Sequence, residues 1–412
     1  MKSEQELLKE TLVMVLAGGQ GERLHPLTKD RAKPAVPFGG KYRIIDFSLS
    51  NCLNSGLRRI AVLTQYKSIS LDRHLREAWG IFNHELGEYV ESVPPQLRQA
   101  SHWYLGTADA IFQNVYTLEQ ERPERVLILS GDHVYKMDYR QMISAHIEKN
   151  ADLTVACMEF PVGDASRFGV MQVDSNFRIT DFKEKPANPP PIPGDPTKAL
   201  INMGVYLFNT RILVQRSSED SRRASSHDFG KDIIPEMVRS DKVFAYSFRD
   251  ENKKQMKYWR DIGTLEAYWE ANMDLCAVDP LFDLYDPSWP IRTWQPQKPP
   301  AKTVFSDEHP GGRRAQALDS LMCDGCIISG ATVKRSILSP GVKIEGRSYV
   351  EDSILFDDVQ VGFDCVLRKT IVDKRVAIPN GTRIGVDPAE DAKRFTVSPG
   401  GIVVVPKDFP FA

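Results

Sequence analysis

The sequence predicts an α/β domain followed by a parallel β-helix of hexapeptide repeats. Short, near-continuous runs of Val, Ile and Leu alternate with helical patterns through the first two-thirds of the chain, as strands covered on both faces do. A Pro-rich stretch, "PSWPIRTWQPQKPPAKTV", then interrupts the pattern. Beyond it, apolar residues recur at every sixth position: Leu338, Ile344, Val350 and Phe356 in one register, then Val366, Val372, Ile378 and Ile384 in another. A period of six suits coils that stack and bury their apolar residues only against neighbouring coils. The shift between Phe356 and Val366 predicts one irregular corner. Amphipathic strands of a β-sandwich are the alternative, but the turn signals lie too close together for ordinary strands.

A chain of 412 residues exceeds the roughly 250 to 300 at which single cores stop growing, which supports more than one unit. We expect a first domain over 1–279, a linker over 280–314 and the β-helix over 315–412. The formal net charge of -2 gives no basic field for nucleic acid. The N-terminal apolar run, Leu12 to Ala17, is too short for the core of a signal peptide or a membrane span, so a cytoplasmic protein without membrane partners is expected. Six scattered cysteines are not a disulfide framework. Cys323 and Cys326 have zinc-like spacing, but no second pair or later His follows, and they read as coil residues.

The strand readings in order are "TLVMVLAGG", "RRIAVLTQY", "RVLILSGDH", "ADLTVACMEF", "MGVYLFN" and "KVFAYSF". Between them, Pro189 to Pro196 must be an irregular loop, because consecutive prolines remove ladder donors. Ligands of open α/β sheets bind beyond the C-terminal ends of the strands, so the polar residues there are the ones to examine.

The first such end is "LAGGQGERLHPLTKDRAKPAVPFGG". It is no Walker loop, since Glu22-Arg23-Leu24 stands where Lys and Ser or Thr would be needed, and Leu24 replaces the third glycine of a dinucleotide fingerprint. What remains is Gly18, Gly19 and Gly21 after a buried strand, where backbone N–H groups can approach phosphate closely. Arg23 adds a planar fork and Lys33 a movable charge. Together they suit a triphosphate whose pyrophosphate leaves; taken alone, the loop is equally a structural turn. Asp132 ends one apolar strand and Asp261 follows another far downstream. Each by itself would be an ordinary turn or cap residue, but brought together they would hold Mg²⁺ with substrate phosphates.

These segments identify a resemblance that runs from about Leu12 to Val405. "RAKPAVPFGGKYRIIDF", "WYLGTADAIFQN", "GDHVYKMDY", "EKPANPP", "SSHDFGKDIIP", "YWRDIGTLEAYWEAN" and "WPIRT" occur in the order seen in the bacterial glucose-1-phosphate adenylyltransferases, members of the sugar-nucleotide pyrophosphorylase superfamily. The resemblance implies a Rossmann-like mixed-sheet nucleotidyltransferase domain and a left-handed β-helix. It implies transfer of AMP from ATP to α-D-glucose 1-phosphate, committing glucose to glycogen. By the same likeness Arg23, Lys33, Asp132 and Asp261 are catalytic, the two aspartates hold Mg²⁺, and Gly18, Gly19, Gly21, Gln65 and Gly106 line the nucleotide. Tyr104, Gly169, Glu184, Lys185, Asn202, Asp228, Phe229 and Trp259 match residues that contact the sugar phosphate.

The likeness departs at Asn202, where these enzymes commonly carry Ser and siblings using other sugars or bases carry Asn. Many relatives are homotetramers controlled by anionic metabolites bound between the domains, for which Arg31, Arg43, Lys374 and Arg394 could supply cations. Asp30 and Pro37 differ from the Lys and His of some members. A catalytically silent, nucleotide-sugar-binding subunit is the rival from another class; it would be expected to lose the cations or carboxylates, which are all present. A hexapeptide acyltransferase would need a base such as His, yet the last His is His309, before the repeats.

Overall fold

The computed structural model describes residues 3–96, 103–254, 257–307, 309 and 312–411. Its first unit is built on a mixed nine-stranded sheet. The strand Thr11–Ala17 lies at the centre, parallel to Arg59–Thr64 on one side and Arg125–Ser130 on the other. The chain therefore leaves the central strand in one direction and later crosses to the other, which opens a crevice at the strand ends. Beyond Arg125–Ser130 the long strand Lys198–Asn209 runs antiparallel and carries Leu153–Pro161 and Gly169–Val173 with it.

Alternate residues of the central strands feed two different cores. Val13, Val15, Leu127 and Leu129 pack on one face, while Leu12, Met14, Val126 and Ile128 pack on the other. That two-sided burial is why these strands read as unbroken apolar runs. All six runs are strands; the strands Tyr89–Val93, Gly169–Val173 and Ile179–Glu184, half-buried or mixed in polarity, were not among the readings.

Three parallel sheets form the walls of the second unit, the arrangement of a left-handed parallel β-helix. Thr332 stacks on Tyr349, then Val366, then Arg383, so these coils are 17 residues long, whereas the step from Gln316 to Thr332 before them is 16. This corrects the strict period of six. The core columns are Ile328, Ile344, Val361 and Ile378; Val333, Val350, Leu367 and Ile384; and Leu338, Leu355, Val372 and Val405. Each 17-residue coil shortens one of its three steps to five, and the coil from Ile328 to Ile344 shortens two, so the irregular corner is repeated rather than a single event. Leu355, not Phe356, fills the core column, and Val366 is half-buried beside the buried Leu367. Left-handed residues help turn the corners, as at Arg335, Asp352 and Lys369 (φ 40°, 51° and 46°).

Phe356 is buried elsewhere, with Ile337, Ile354, Ile371 and Val404, against Phe38, Phe47, Tyr268 and Phe282 of the first unit. The segment 280–314 is correspondingly less free than its prolines suggest. Trp289 is buried and donates Nε1–H to Asn51 Oδ1 at 2.8 Å, and Arg292 N–H donates to Ser50 Oγ at 2.8 Å, both on the helix Ile45–Asn54. Lys302–Val304, in the same segment, is already a β-helix strand, paired with Ile327–Ser329.

Candidate active site

The site lies where the sheet changes direction. After Ala17 the chain turns through Gly18, Gly19 and Gly21 and winds one short 3₁₀ turn, Glu22–Leu24. Gly21 has φ 65°, and a Cβ there would lie 3.0 Å from both Lys33 Cβ and Thr28 Cγ2, so the turn is closed by packing as well as conformation. It brings Arg23 and Lys33 to the mouth of the crevice. Asp132 comes from the end of the neighbouring strand Arg125–Ser130, and Asp261 from the short strand Trp259–Asp261, whose antiparallel partner places it opposite His133.

The expected convergence is present. Lys33 Nζ donates to Asp132 Oδ2 at 2.7 Å and to Asp261 Oδ1 at 3.1 Å. Burial alone would push the Lys33 ammonium down, but the two carboxylates outweigh it and raise it above the usual lysine value. Burial likewise works to raise Asp132, and Lys33, His133 and the Ser130 hydroxyl together hold its carboxyl well below the usual range. Both carboxylates keep some exposure, at 28% and 29%. Donor atoms of Asp132, His133 and Asp261 all lie within 4.8 Å of one another. Two hard carboxylates, clustered and still reachable, form the donor set a divalent cation uses when substrate phosphates supply the rest.

Two cavities meet here. One, of about 560 Å³, is lined by Gly19, Gly21, Arg23, Lys33 and Asp132. The other, of about 410 Å³, is lined by Gly169, Glu184, Lys185, Asn202, Asp228, Trp259 and Asp261. Leu16, Arg23 and Gly263 border both. Arg23 is exposed and makes no ion pair among the described residues, so its guanidinium is available to an anion at the junction.

Within the second cavity the expected residues divide. Gly169, Glu184 and Asn202 stand together: a Cβ on Gly169 would meet Glu184 Oε2 at 2.8 Å and Asn202 Cβ at 3.3 Å. Burial raises the Glu184 carboxyl, with Lys185 opposing the shift. Lys185 Nζ lies 3.3 Å from Glu184 Oε1 and remains 62% exposed, at the rim. The Asn202 amide is already engaged, donating to Tyr206 Oη at 2.7 Å and accepting from Gly204 N–H at 2.9 Å, so its amide braces the strand as well as bordering the cavity. Asp228 caps the turn Phe229–Ile233, accepting from Gly230 N–H and Lys231 N–H, and takes the Thr107 hydroxyl on its other oxygen.

Other expected residues are placed elsewhere. The Phe229 ring is buried in the core against Tyr206 and Phe208, and its neighbours Asp228 and Gly230 line the cavity. Tyr104 is not on the wall of the second cavity either; its hydroxyl accepts from Asn114, and its carbonyl accepts from Gln65 Nε2 at 3.3 Å. Gln65 in turn packs on Gly18, so Gln65 and Tyr104 stand on the side of the glycine turn. Gly106 heads the helix Thr107–Phe112 where a Cβ would strike the His227 carbonyl. Among the bordering residues outside the sequence expectations are His133 and Gly263. His133 directly follows Asp132, and Gly263 lies where a Cβ would meet Arg23 Nη2 at 3.1 Å and the Asp261 carboxylate at 3.2 and 3.3 Å. The signals were adjacency to Asp132 and a glycine that no turn geometry demands.

Of the four cations considered for an effector, three converge between the units. Arg31 Nη2 pairs with Asp373 Oδ1 at 2.8 Å, and Lys374 Nζ with Asp357 Oδ2 at 2.9 Å. Arg43 donates to the Ala35 carbonyl and makes no ion pair among the described residues. Burial, and then the Arg43 charge, push Lys374 down to about 8. Arg394 is not brought to this cluster by any contact: it is exposed and stacks on Phe395 and Phe411.

The nucleotidyl transferase family model matches residues 12–278, and a model described as GlmU-like, C-terminal hexapeptide matches residues 299–405. Among curated relatives, the glucose-1-phosphate adenylyltransferase of Rhodopirellula baltica is 54% identical over 97% of this chain and 90% of its own. That of Thiobacillus denitrificans is 54% identical over 97% of this chain and 91% of its own. Glucose-1-phosphate adenylyltransferase 2 of Vibrio cholerae is 52% identical over 98% of this chain and all of its own length (100%).

Proposed function

The chain belongs to the glucose-1-phosphate adenylyltransferases, and we propose that its own residues carry AMP from ATP to α-D-glucose 1-phosphate, giving ADP-glucose and pyrophosphate, as follows. The observation that carries this is the shared Lys33 ammonium, which ties Asp132 to Asp261 at the junction of two cavities, one walled by the glycine turn and the other by Glu184 and Lys185.

ATP enters the glycine-lined cavity with its phosphates against Gly18, Gly19 and Gly21, and Gln65 and Gly106 stand on the nucleotide side. Glucose 1-phosphate enters the other, where Lys185 meets its phosphate and Glu184 accepts from hexose hydroxyls. The phosphate oxygen attacks the α-phosphorus in line, the bond to the β-phosphate oxygen breaks, and pyrophosphate departs. Arg23 and Lys33 receive the charge that develops on it. No general base is required, because the attacking phosphate is already ionised near neutral pH. Rate comes from alignment and charge compensation. Trp259 and Asn202 keep the second cavity in shape.

Enzymes of this kind use a divalent metal, and we assign Mg²⁺, held by Asp132 and Asp261; when bound it neutralises phosphate charge. We further propose that an anionic metabolite binds between the units, on Arg31, Arg43 and Lys374. Arg31, Arg43 and Lys374 converge there, buried or nearly so, with the carboxylates Asp357, Asp373 and Asp46 beside them, and an anion would meet all three cations at one place. A homotetrameric, cytoplasmic enzyme of glycogen synthesis completes the proposal. Residues 1–279 carry the chemistry and 315–412 the assembly and regulation. Among the described residues, no helix is long and apolar enough to cross a membrane.

The test is pyrophosphate release measured with each of four nucleoside triphosphates against several hexose 1-phosphates. ATP with glucose 1-phosphate should give the highest kcat/KM. A higher value for another pair would move the specificity, and binding of ATP without any release would support the silent subunit.

A further inference from the structure

We infer that His133 is a third protein ligand of the divalent ion, its Nε2 joining the Asp132 and Asp261 carboxylates in a mixed oxygen and nitrogen donor set. The inference rests on the metal reading above.

Distance is the first ground. His133 Nε2 lies 3.5 Å from Asp132 Oδ1 and 3.9 Å from Asp261 Oδ1. Around an octahedral ion with ligands at roughly 2.1 Å, neighbouring donors are about 3 Å apart and opposite donors about 4.2 Å. The first is about 0.5 Å beyond the neighbouring spacing and the second about 0.3 Å short of the opposite one, so small side-chain shifts would bring all three donors onto one ion, whereas a hydrogen bond would require a closer approach.

The second ground is an unmet need. Only 13% of the His133 side chain is exposed, and Nδ1 is buried with no hydrogen-bond partner. A buried imidazole with neither nitrogen bonded is expensive to keep. Lys33 satisfies the two carboxylates through its ammonium but makes no bond to the imidazole. A metal ion at Nε2 would give the imidazole one partner and serve both carboxylates, while Nδ1 stays without a partner among the described residues.

The third ground is rigidity. The imidazole packs edge-on against Trp259, with ring centroids 4.9 Å apart, and Asp261 faces His133 directly across the strand pair. On its other side the long strand slips register between Asn202 and Tyr206, and Gly204 takes φ 70° within the slip. A Cβ at Gly204 would lie 3.2 Å from His133 Cε1, so the bulge leaves the ring its place. Ligands fixed on strands in this way hold a metal without reorganising.

Imidazole binds Mn²⁺ and Co²⁺ more readily than Mg²⁺, so this site should favour those ions more than an all-oxygen site would. The full-length protein is titrated with Mn²⁺ in the presence of inorganic pyrophosphate, which contains no nitrogen, and the bound ion is examined by pulsed electron paramagnetic resonance. A ¹⁴N coupling is expected, replaced by a ¹⁵N coupling after labelling with ¹⁵N-histidine. His133→Asn should abolish it and weaken Mn²⁺ binding by about tenfold. Bound Mn²⁺ without a histidine nitrogen coupling in the wild-type protein would overturn the inference while leaving the carboxylate site intact. Unchanged Mn²⁺ binding in Asp132→Asn and Asp261→Asn, or no binding in the wild type, would overturn the metal reading itself.

Discussion

Lys33 donates to Asp132 at 2.7 Å from a loop on the far side of the crevice, and in the same geometry reaches Asp261 at 3.1 Å. Asp132→Asn keeps the side-chain volume and removes the charge. The fold should persist, and turnover should fall by roughly 10² to 10³-fold, the range seen when one preorganised electrostatic group is lost. Steady-state pyrophosphate release and a thermal melt check this together. Near wild-type rates would remove Asp132 from the chemistry.

Lys185 stands at the rim of the second cavity, 3.3 Å from Glu184. Lys185→Ala should raise the KM for glucose 1-phosphate by about tenfold with a smaller change in kcat, the signature of lost binding to one substrate. A change confined to the KM for ATP would contradict the assignment.

Gly263 is needed for space, since its backbone has no left-handed torsion and a Cβ would crowd Arg23 and Asp261. Gly263→Ala should displace the Arg23 guanidinium and lower kcat by roughly tenfold, about 1.4 kcal/mol in the barrier, with the melting temperature unchanged. Equal kcat values would show that the junction tolerates the methyl group.

Burial and Arg43 depress Lys374 to about 8 from the ordinary lysine value near 10.5. Between those two pH values the unfolded chain holds a proton that the folded chain has released, so this group makes folding more favourable as pH rises through that window. The effector cluster loses one positive charge over the same range. Affinity for an anionic metabolite should therefore fall as pH rises through about 8. Calorimetric titrations at several pH values check this, and a slope that vanishes in Lys374→Met would assign it.

The β-helix register separates Val366 from Leu367, which differ by one position and point to opposite sides of the wall. Leu367→Ala empties a core column and should cost about 2–5 kcal/mol, whereas Val366→Ala should cost less than about 1 kcal/mol. Denaturant unfolding distinguishes them. Equal losses would restore the strict six-residue register.

The central strands were legible because two-sided burial writes an unbroken apolar run, and Asp132 was legible because it ends one. Edge strands such as Tyr89–Val93 bury only part of their length and leave no such run. The motif around Phe229 was legible as a unit, with Asp228 on the cavity and the Phe229 ring buried behind it, but a motif does not tell which face of a turn each side chain takes. Asn202 lines the cavity, and its bonds to Tyr206 and Gly204 depend on a register slip invisible in local spacing. His133 was passed over because its importance comes from Asp261, which only strand pairing brings opposite. The six-residue period failed at Phe356 because burial against the first unit imitates burial in the coil.

The most direct test of the central claim is a crystal structure with a non-hydrolysable ATP analogue and a divalent ion. The phosphates should lie on Gly18, Gly19 and Gly21, with Asp132 and Asp261 both on the ion and Arg23 and Lys33 on the β- and γ-phosphates. A nucleotide seated outside the glycine-lined cavity, or an ion that neither carboxylate touches, would contradict the account.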